Sequence, residues 1–528
     1  MCSARVPDHH PIRRLAGAVA IFAAACALSG GAIGAERPNV LLILGDDHAA
    51  YALGAFGNPH ARTPHLDRLA GEGALFQRAF CNSPVCTASR QSLLTGRYPH
   101  AIRTTLLSTP LPDKEITLAE VLRDNGYETG AIGKMHFNSP LRHGFEVRLD
   151  LEEHRWSLVG RTREFLPPGM ETLGPWRPFR DPAAEWLNGS RLPYPARAAD
   201  MAGRYFAEEA ARFIRRPRSR PFFLVASFYE PHSPFHFPIE SAGRIDPRAM
   251  QLPQFGPGDG PQVPLIFRGL SEDEKKRIAA AYYTSVEFLD SNVGIVLEAL
   301  RRSAAEENTL VIYTGDHGYL LGHHGRFEKH CFFEEAVRVP LVIRWPRKVA
   351  AGQLRPELVE LVDLFPTVVE ACGAELPPER HGRSLLGLLG LLAPAGGAPA
   401  RQPARQPART GAREHVVSFY HENEEAMVRA GRWKLIASSG KRARDDGYRT
   451  EDPTPGRWRR LYDLEKDPLE LRDLSADGAR AATIAELEEI LFQTFKSTAP
   501  AGAMAPVGLA RQEALDWYFV PPETRRHE

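Results

Sequence analysis

Along the chain, apolar residues gather in short continuous runs that end abruptly in polar ones. Val40-Leu41-Leu42-Ile43-Leu44 leads into Gly45-Asp46-Asp47, and Thr129-Gly130-Ala131-Ile132-Gly133 leads to Lys134 and His136. Residues 222–228 lead to Glu230-Pro231-His232, and residues 310–315 lead to Asp316-His317. Apolar runs without alternation suit strands buried on both faces, as in a mainly parallel sheet covered by helices. Between them, Val286, Leu289, Val293, Val296, Leu297 and Leu300 recur at helix spacing, a stripe that packs on the sheet. Asp290 and Asn292 are expected on the solvent side of that helix. Residues 166–178 and 252–264, rich in proline and glycine, read as loops around a site.

The pattern changes after residue 392. Residues 393–412 carry an Arg-Gln-Pro-Ala near-repeat and read as a linker or insertion. Beyond it, residues 416–420, 426–429, 433–436 and 460–464 read as short strands, followed by a helical pattern over residues 482–495. The expected architecture is α/β: a large, mainly parallel (mixed) sheet sandwiched by helices over residues 36–392. A smaller C-terminal subdomain, an antiparallel sheet plus helix, would cover residues 413–510, with a tail over 511–528.

Residues 1–35 are set apart from the fold. Arg13 and Arg14 precede an apolar run over 15–28, and small residues follow to Ala35, the layout of a secretory signal peptide cut near Ala32 to Ala35. That run is too short for a stable membrane span, so the protein is expected to be exported, periplasmic or secreted. Of 6 cysteines, Cys2 and Cys26 fall in this leader; Cys81, Cys86, Cys331 and Cys372 are too sparse for a disulfide scaffold and would allow at most one bridge if Cys86 is converted. The 66 Lys+Arg and 65 Asp+Glu leave a formal +1, so no basic excess calls for nucleic acid.

Ligands of open α/β sheets bind beyond the carboxyl ends of the strands, so the four polar run ends point at one shared site. Asp46, Asp47 and Asp316 offer hard oxygen ligands suited to Ca2+ or Mg2+, and His317 adds a nitrogen or a hydrogen bond. His323, His324 and His330 lie close in sequence, but neither cysteine nor ligand spacing supports zinc there.

Cys86-Thr87-Ala88-Ser89-Arg90, followed by Leu94-Thr95-Gly96-Arg97-Tyr98-Pro99, supplies a further motif. With Asp46-Asp47, Asp316-His317, Gly133-Lys134-Met135-His136 and the closing Leu461-Tyr462-Asp463-Leu464-Glu465-Lys466-Asp467-Pro468, it resembles the formylglycine-dependent sulfatases of the alkaline phosphatase superfamily over roughly residues 37 to 480. The resemblance implies that a maturation enzyme, the formylglycine-generating enzyme, oxidises Cys86 to an aldehyde whose hydrate is the nucleophile. One hydroxyl attacks sulfur and expels the alcohol; the other loses its proton, and collapse of the hemiacetal ejects sulfate and restores the aldehyde. The resemblance also implies a metal held by Asp46, Asp47, Cys86, Asp316 and His317, with Arg90 fixing the diol and ligands. Lys134 and Lys329 would neutralise sulfate oxygens, His136 would act as base in the collapse, and His232 would protonate the leaving oxygen. Glutamate is common in the family where His323 stands, a departure that alters local hydrogen bonding.

The expected reaction is hydrolysis of a sulfate monoester, with a sulfated carbohydrate as first substrate class. Choline-type alkyl sulfates and phosphonate or phosphate esters of the same superfamily are the alternatives. A non-catalytic binder of sulfated glycans is disfavoured, because it predicts loss of Cys86, Arg90 or a metal acid, and all are present. The expected partners are therefore a sulfated small molecule or glycan and the maturation enzyme. Trp156, Trp176, Trp186 and Tyr194 are loop aromatics able to stack on a sugar or enclose a quaternary ammonium.

Overall fold

The computed structural model describes residues 37–161, 166–173, 192–391, 411–440, 450 and 456–525. The leader, most of the 393–412 segment, Trp176 and Trp186 lie outside the described residues. The first apolar run forms β1 (Asn39–Gly45), and β2 (Ala74–Phe80), β3 (Glu128–Gly133), β4 (Val147–Leu149), β5 (Phe222–Ser227), β6 (Thr309–Gly315), β7 (Arg338–Arg344) and β8 (Gln353–Glu360) complete one sheet. Its order is β4-β3-β5-β1-β6-β7-β2-β8. β7 runs antiparallel to both its neighbours and every other pairing is parallel, so the sheet is mixed but mainly parallel.

The reason the runs do not alternate is visible residue by residue. On β1, Val40, Leu42 and Leu44 join one core cluster while Leu41 and Ile43 join another on the opposite face. Leu310 and Ile312 of β6 divide from Val311 and Tyr313 in the same way. Neighbouring side chains of a strand point to opposite faces, so a strand covered twice must be apolar at both parities. One face packs the helices Cys86–Thr95, Leu118–Asp124 and Leu364–Ala371; the other packs Pro64–Gly71, Ala202–Arg215 and Glu272–Arg301. The last of these begins at a capping box, where Ser271 Oγ accepts from Glu274 N and the Glu274 carboxylate accepts from Ser271 N.

Asp290 and Asn292 are buried rather than solvent-facing. The 272–301 helix is flanked on the same sheet face by the helices Pro64–Gly71 and Ala202–Arg215, which cover Asp290 and Asn292 respectively. Trp156 stands on the short helix Leu151–Ser157, not on a loop, and is 69% exposed. No disulfide links Cys81, Cys86, Cys331 and Cys372, all of which are buried.

The C-terminal strands β9 (His415–Tyr420), β10 (Glu425–Ala430), β11 (Trp433–Ser438) and β12 (Trp458–Asp463) form an antiparallel sheet in the order β12-β11-β10-β9. Val416, Tyr420, Met427 and Ile436 share the core of the large sheet, while Val417, Phe419, Val428 and Leu435 pack against the helix Ala481–Thr498. Residues 511–519, inside the segment expected as a tail, form a helix whose Leu515, Tyr518 and Phe519 join that second cluster. Pro38–Glu528 is one compact unit. Among the described residues no helix is long and apolar enough to cross a membrane.

Candidate active site

The four strands whose ends were singled out, β3, β5, β1 and β6, are neighbours in the sheet and all parallel. Register places Gly133 opposite Ser227, Ser227 opposite Leu44, and Gly45 opposite Gly315, so the polar residues that follow leave the sheet at one level. Backbone bonds tie these exits together: Asp316 N donates to Gly45 O at 3.1 Å, Lys134 N to Ser227 O at 3.0 Å and Asp46 N to Glu230 O at 3.1 Å.

Above them the helix Cys86–Thr95 begins with Cys86 in its first turn, and all of its residues are buried. Arg90, one turn later, falls on the same face as Cys86. Its Nε donates to Asp316 Oδ2 at 2.7 Å, and Nη1 donates to Lys134 O at 2.6 Å and Ser227 Oγ at 2.7 Å. Arg90 is 1% exposed, so its guanidinium crosses the whole site as a fixed strut.

Cys86 Sγ lies 3.1 Å from His317 Nε2 and 3.2 Å from Lys329 Nζ, and His136 also hydrogen-bonds it. Burial pushes this thiol up, but Lys134, Lys329 and His317 outweigh it and hold Cys86 well below the ordinary thiol range. Lys329 Nζ donates to Asp47 Oδ1 at 2.6 Å, and Lys134 Nζ donates to Asp46 Oδ2. His232, with Nδ1 on Ser233 O at 2.7 Å, has a ring nitrogen within 4.8 Å of ligand atoms of Asp46, Asp47 and Cys86. Burial pushes Asp316 up to about 6, with Arg90 and His317 opposing, and against burial Asp316 and Cys86 push His317 up to about 9. The residues named from the sequence as catalytic or metal-ligating are thus brought together at one place.

Asp46, Cys86, Asp316 and His317 each present a ligand atom within 4.8 Å of the others. Asp46 Oδ1 and Asp47 Oδ2 are buried and have no hydrogen-bond partner among the described residues. Buried carboxylate oxygens without partners are costly unless a cation completes them, so this donor set fits a hard divalent ion. The charges agree: Asp46, Asp47, Asp316 and the Cys86 thiolate offset Arg90, Lys134, Lys329 and His317, leaving an incoming anion to be balanced by the cation. Among the described residues no comparable group of ligands forms at His323, His324 and His330. Each of those histidines faces its own carboxylate, Glu335 at 3.9 Å, Asp259 at 2.9 Å and Glu328 at 3.4 Å respectively.

Two residues of the site were not foreseen. Ser227 is the polar residue within the apolar run of β5, a signal present in the sequence, and it holds Arg90. Tyr282 donates its hydroxyl to Asp47 O at 2.7 Å and accepts from Ala49 N at 3.1 Å, pinning the β1 exit from a helix far away in sequence. Beside the site opens a cavity of about 760 Å³ whose wall includes His154, Tyr194, Asp200, Tyr229, His232 and His236. Tyr194 packs on His236 with ring centroids 4.4 Å apart.

A mainly parallel sheet with a buried Cys-Arg helix over a carboxylate cluster defines a class, and residues 38–374 match the Sulfatase family. The chain belongs to the sulfatase family. Mouse (Mus musculus) steryl-sulfatase is 33% identical over 438 residues, a match covering 67% of this chain and 65% of that protein. Mouse iduronate 2-sulfatase is 29% identical over 398 residues, covering 64% of this chain and 69% of that one. The chain therefore spans about two thirds of the length of these curated relatives. In fold it is similar to a phosphonate monoester hydrolase from Silicibacter pomeroyi, with a TM-score of 0.69 and 22% identity over 88% of this chain and 96% of that one.

Proposed function

We propose that this protein hydrolyses a sulfate monoester to an alcohol and inorganic sulfate, with a formylglycine made from Cys86 as nucleophile and a sulfated carbohydrate as substrate. The observation that carries this is the setting of Cys86: its sulfur sits 3.1 Å from His317 Nε2 and 3.2 Å from Lys329 Nζ at the first turn of a buried helix. A helix N-terminus and convergent cations favour an anion at that point. Ca2+ or Mg2+ would be held by Asp46, Asp47 and Asp316, with His317 and the oxygen derived from Cys86 adjacent, and would supply charge stabilisation to sulfuryl oxygens.

The remaining work belongs to side chains. Lys134 and Lys329 neutralise the sulfuryl oxygens, and Arg90 fixes the carboxylates around the nucleophile. Burial pushes His136 down, with Lys134 adding to it, so the imidazole is free to accept the proton of the second hydroxyl at neutral pH. His232, at the boundary between the nucleophile and the cavity, donates a proton to the departing alcohol. Acid–base help of this kind is worth about 10²- to 10⁴-fold in rate. The cavity wall combines hydrogen-bonding His154, Tyr194, Asp200 and His236 with apolar Leu158 and Met201, which suits a hydroxylated ring with one apolar face. Iduronate 2-sulfatase, by its name, acts on a sugar acid, which supports the carbohydrate reading. The leader at residues 1–35 supports export to the periplasm or outside the cell.

The test is the mass of the peptide carrying Cys86, from protein coexpressed with a formylglycine-generating enzyme, followed by turnover on sugar sulfates, choline sulfate, a steryl sulfate and an aryl phosphonate. The expected result is an aldehyde or its hydrate, turnover greatest on sugar sulfates, and no turnover by Cys86→Ala. A plain thiol with the maturation enzyme active on a control peptide overturns the mechanism. Preference for the phosphonate overturns the substrate class.

A further inference from the structure

The last described residues of the chain do not trail away from the fold. Glu523, 418 residues from Thr105 in sequence, accepts from Thr105 N and Thr105 Oγ1, each at 2.6 Å, and from Thr109 Oγ1 at 3.3 Å. Arg103 Nη2 donates to Pro522 O at 3.1 Å in the same contact. A second carboxylate, Glu422 between β9 and β10, accepts from Leu107 N at 2.6 Å. Two acids of the C-terminal region thus grip one short segment, residues 105–109, which has no helix or strand of its own.

The opposite side of that segment is attached to the site. Leu107 O accepts from Thr87 Oγ1 at 2.7 Å, and Thr87 adjoins Cys86 at the start of the buried helix. Leu107 O and Thr109 O also accept from Asn138 Nδ2, at 2.8 and 3.1 Å. Asn138 and His136 have φ values of 52° and 61°, in the left-handed region that is uncommon outside glycine but that asparagine and histidine enter more readily than most residues. The two bonds from Asn138 tie this segment, two residues after His136, to residues 105–109.

We propose that Glu523, assisted by Glu422, is a positioning residue for catalysis: through residues 105–109 it sets the spacing between the Cys86-derived nucleophile and His136. This rests on the function proposed above. Neither acid touches substrate. Each acts by holding a wall to which both catalytic elements are bonded, and displacement of about 1 Å at a reacting group lowers rates by up to about 10²-fold.

The experiment compares the parent with Glu523→Ala, Glu523→Gln, Thr105→Val and the Glu422→Ala/Glu523→Ala pair, on the best sulfate ester found. Formylglycine content, melting temperature, kcat, KM, the pH profile of kcat and amide hydrogen exchange are measured on each. Expected are a fall in kcat of about tenfold or more for Glu523→Ala with KM within about threefold. The formylglycine content should be unchanged, the acidic limb of the kcat–pH profile, where the base His136 must lose its proton, shifted, and exchange faster at residues 105–109 and 136–138. Glu523→Gln, which keeps one acceptor oxygen, should recover most of kcat; Thr105→Val, which leaves the fold's backbone bonds intact, should lose part of it. A double variant with kcat within twofold of an active parent overturns the positioning role alone. A fall in kcat matched by equal loss of formylglycine also overturns it, since maturation would then be the step affected. A parent without turnover on any sulfate ester, despite a formed aldehyde, overturns the functional reading instead.

Discussion

Asp290 sits on the 272–301 helix, yet both its carboxylate oxygens serve another helix. His65 N donates to one at 3.1 Å and Leu66 N to the other at 2.9 Å, closing the first turn of the Pro64–Gly71 helix. The side chain of Thr63, at the N-cap position of that helix, bonds none of its backbone N–H groups, so the side-chain cap comes from Asp290 across the interface. Burial pushes Asp290 up to about 7, with the two backbone donors opposing. A carboxylate with a raised native pKa is protonated in the fold while already ionised in the unfolded chain, so the fold binds the extra proton. Stability from this group is therefore highest below about pH 4 and falls as the pH rises towards 7, after which the penalty is constant. Asp290→Asn cannot ionise. Its stability relative to the parent is expected to rise between about pH 4 and 7, by an amount on the order of a few kcal/mol, and then level off. Urea unfolding across that range checks it, and a flat difference would exclude the buried charge as the cause.

At the scale of an element, the exit of β3 depends on one glycine. Gly133 has φ 95°, and a Cβ there would stand 1.8 Å from Ser227 O. That oxygen accepts from Lys134 N, so the residue that delivers Lys134 to the site also has to clear the neighbouring strand. Gly133→Ala combines a conformation L-residues avoid with a backbone clash, and the β3–β5 end must open. The expected loss is at least about 1 kcal/mol from the left-handed conformation alone, and more from the clash. Turnover should fall with it, because Arg90 Nη1 bonds both Lys134 O and Ser227 Oγ at this junction. Denaturant unfolding and kcat on the same preparation check both effects; full activity would show that Lys134 reaches the site by another route.

Over the whole molecule, the two sheets are joined by a buried ion cluster. Lys434 on β11, fully buried, pairs with Glu470 at 2.7 Å and Glu334 at 3.3 Å, and Glu334 N donates to Glu470 Oε2 at 2.7 Å. Glu334 begins the short helix ahead of β7, five residues after Lys329, so this cluster anchors the segment that carries Lys329 into the site. Glu470→Ala leaves Lys434 with a weakened partner set in a dry interior, and breaking a buried pair by removing one member is typically destabilising by about 3 to 5 kcal/mol. Chemical unfolding should show that loss, with kcat reduced in the fraction that remains folded. A loss below about 1 kcal/mol would mean that Lys434 finds water or another acceptor.

The sequence alone carried the strands and the site wherever the short-range pattern is strong, but not the short helices at 151–157 and 511–519. Residues 40–44, 129–133, 222–228 and 310–315 announce strands covered on both faces because burial on both faces forces apolarity at both parities. Their polar ends announce a shared site because parallel strands all finish at the same edge. Cys86 and Arg90 fall on one face of a helix by spacing alone. Three features required the tertiary structure: Asp290 and Asn292 buried where a surface was expected, Tyr282 pinning Asp47 across 235 residues, and Glu523 holding Thr105 across 418. A helical stripe shows which face meets the sheet, but not whether a second helix covers its flank. A hydrogen bond between residues hundreds of positions apart leaves no period in either segment. Such contacts exist only once the chain has closed on itself, and only the folded molecule shows them.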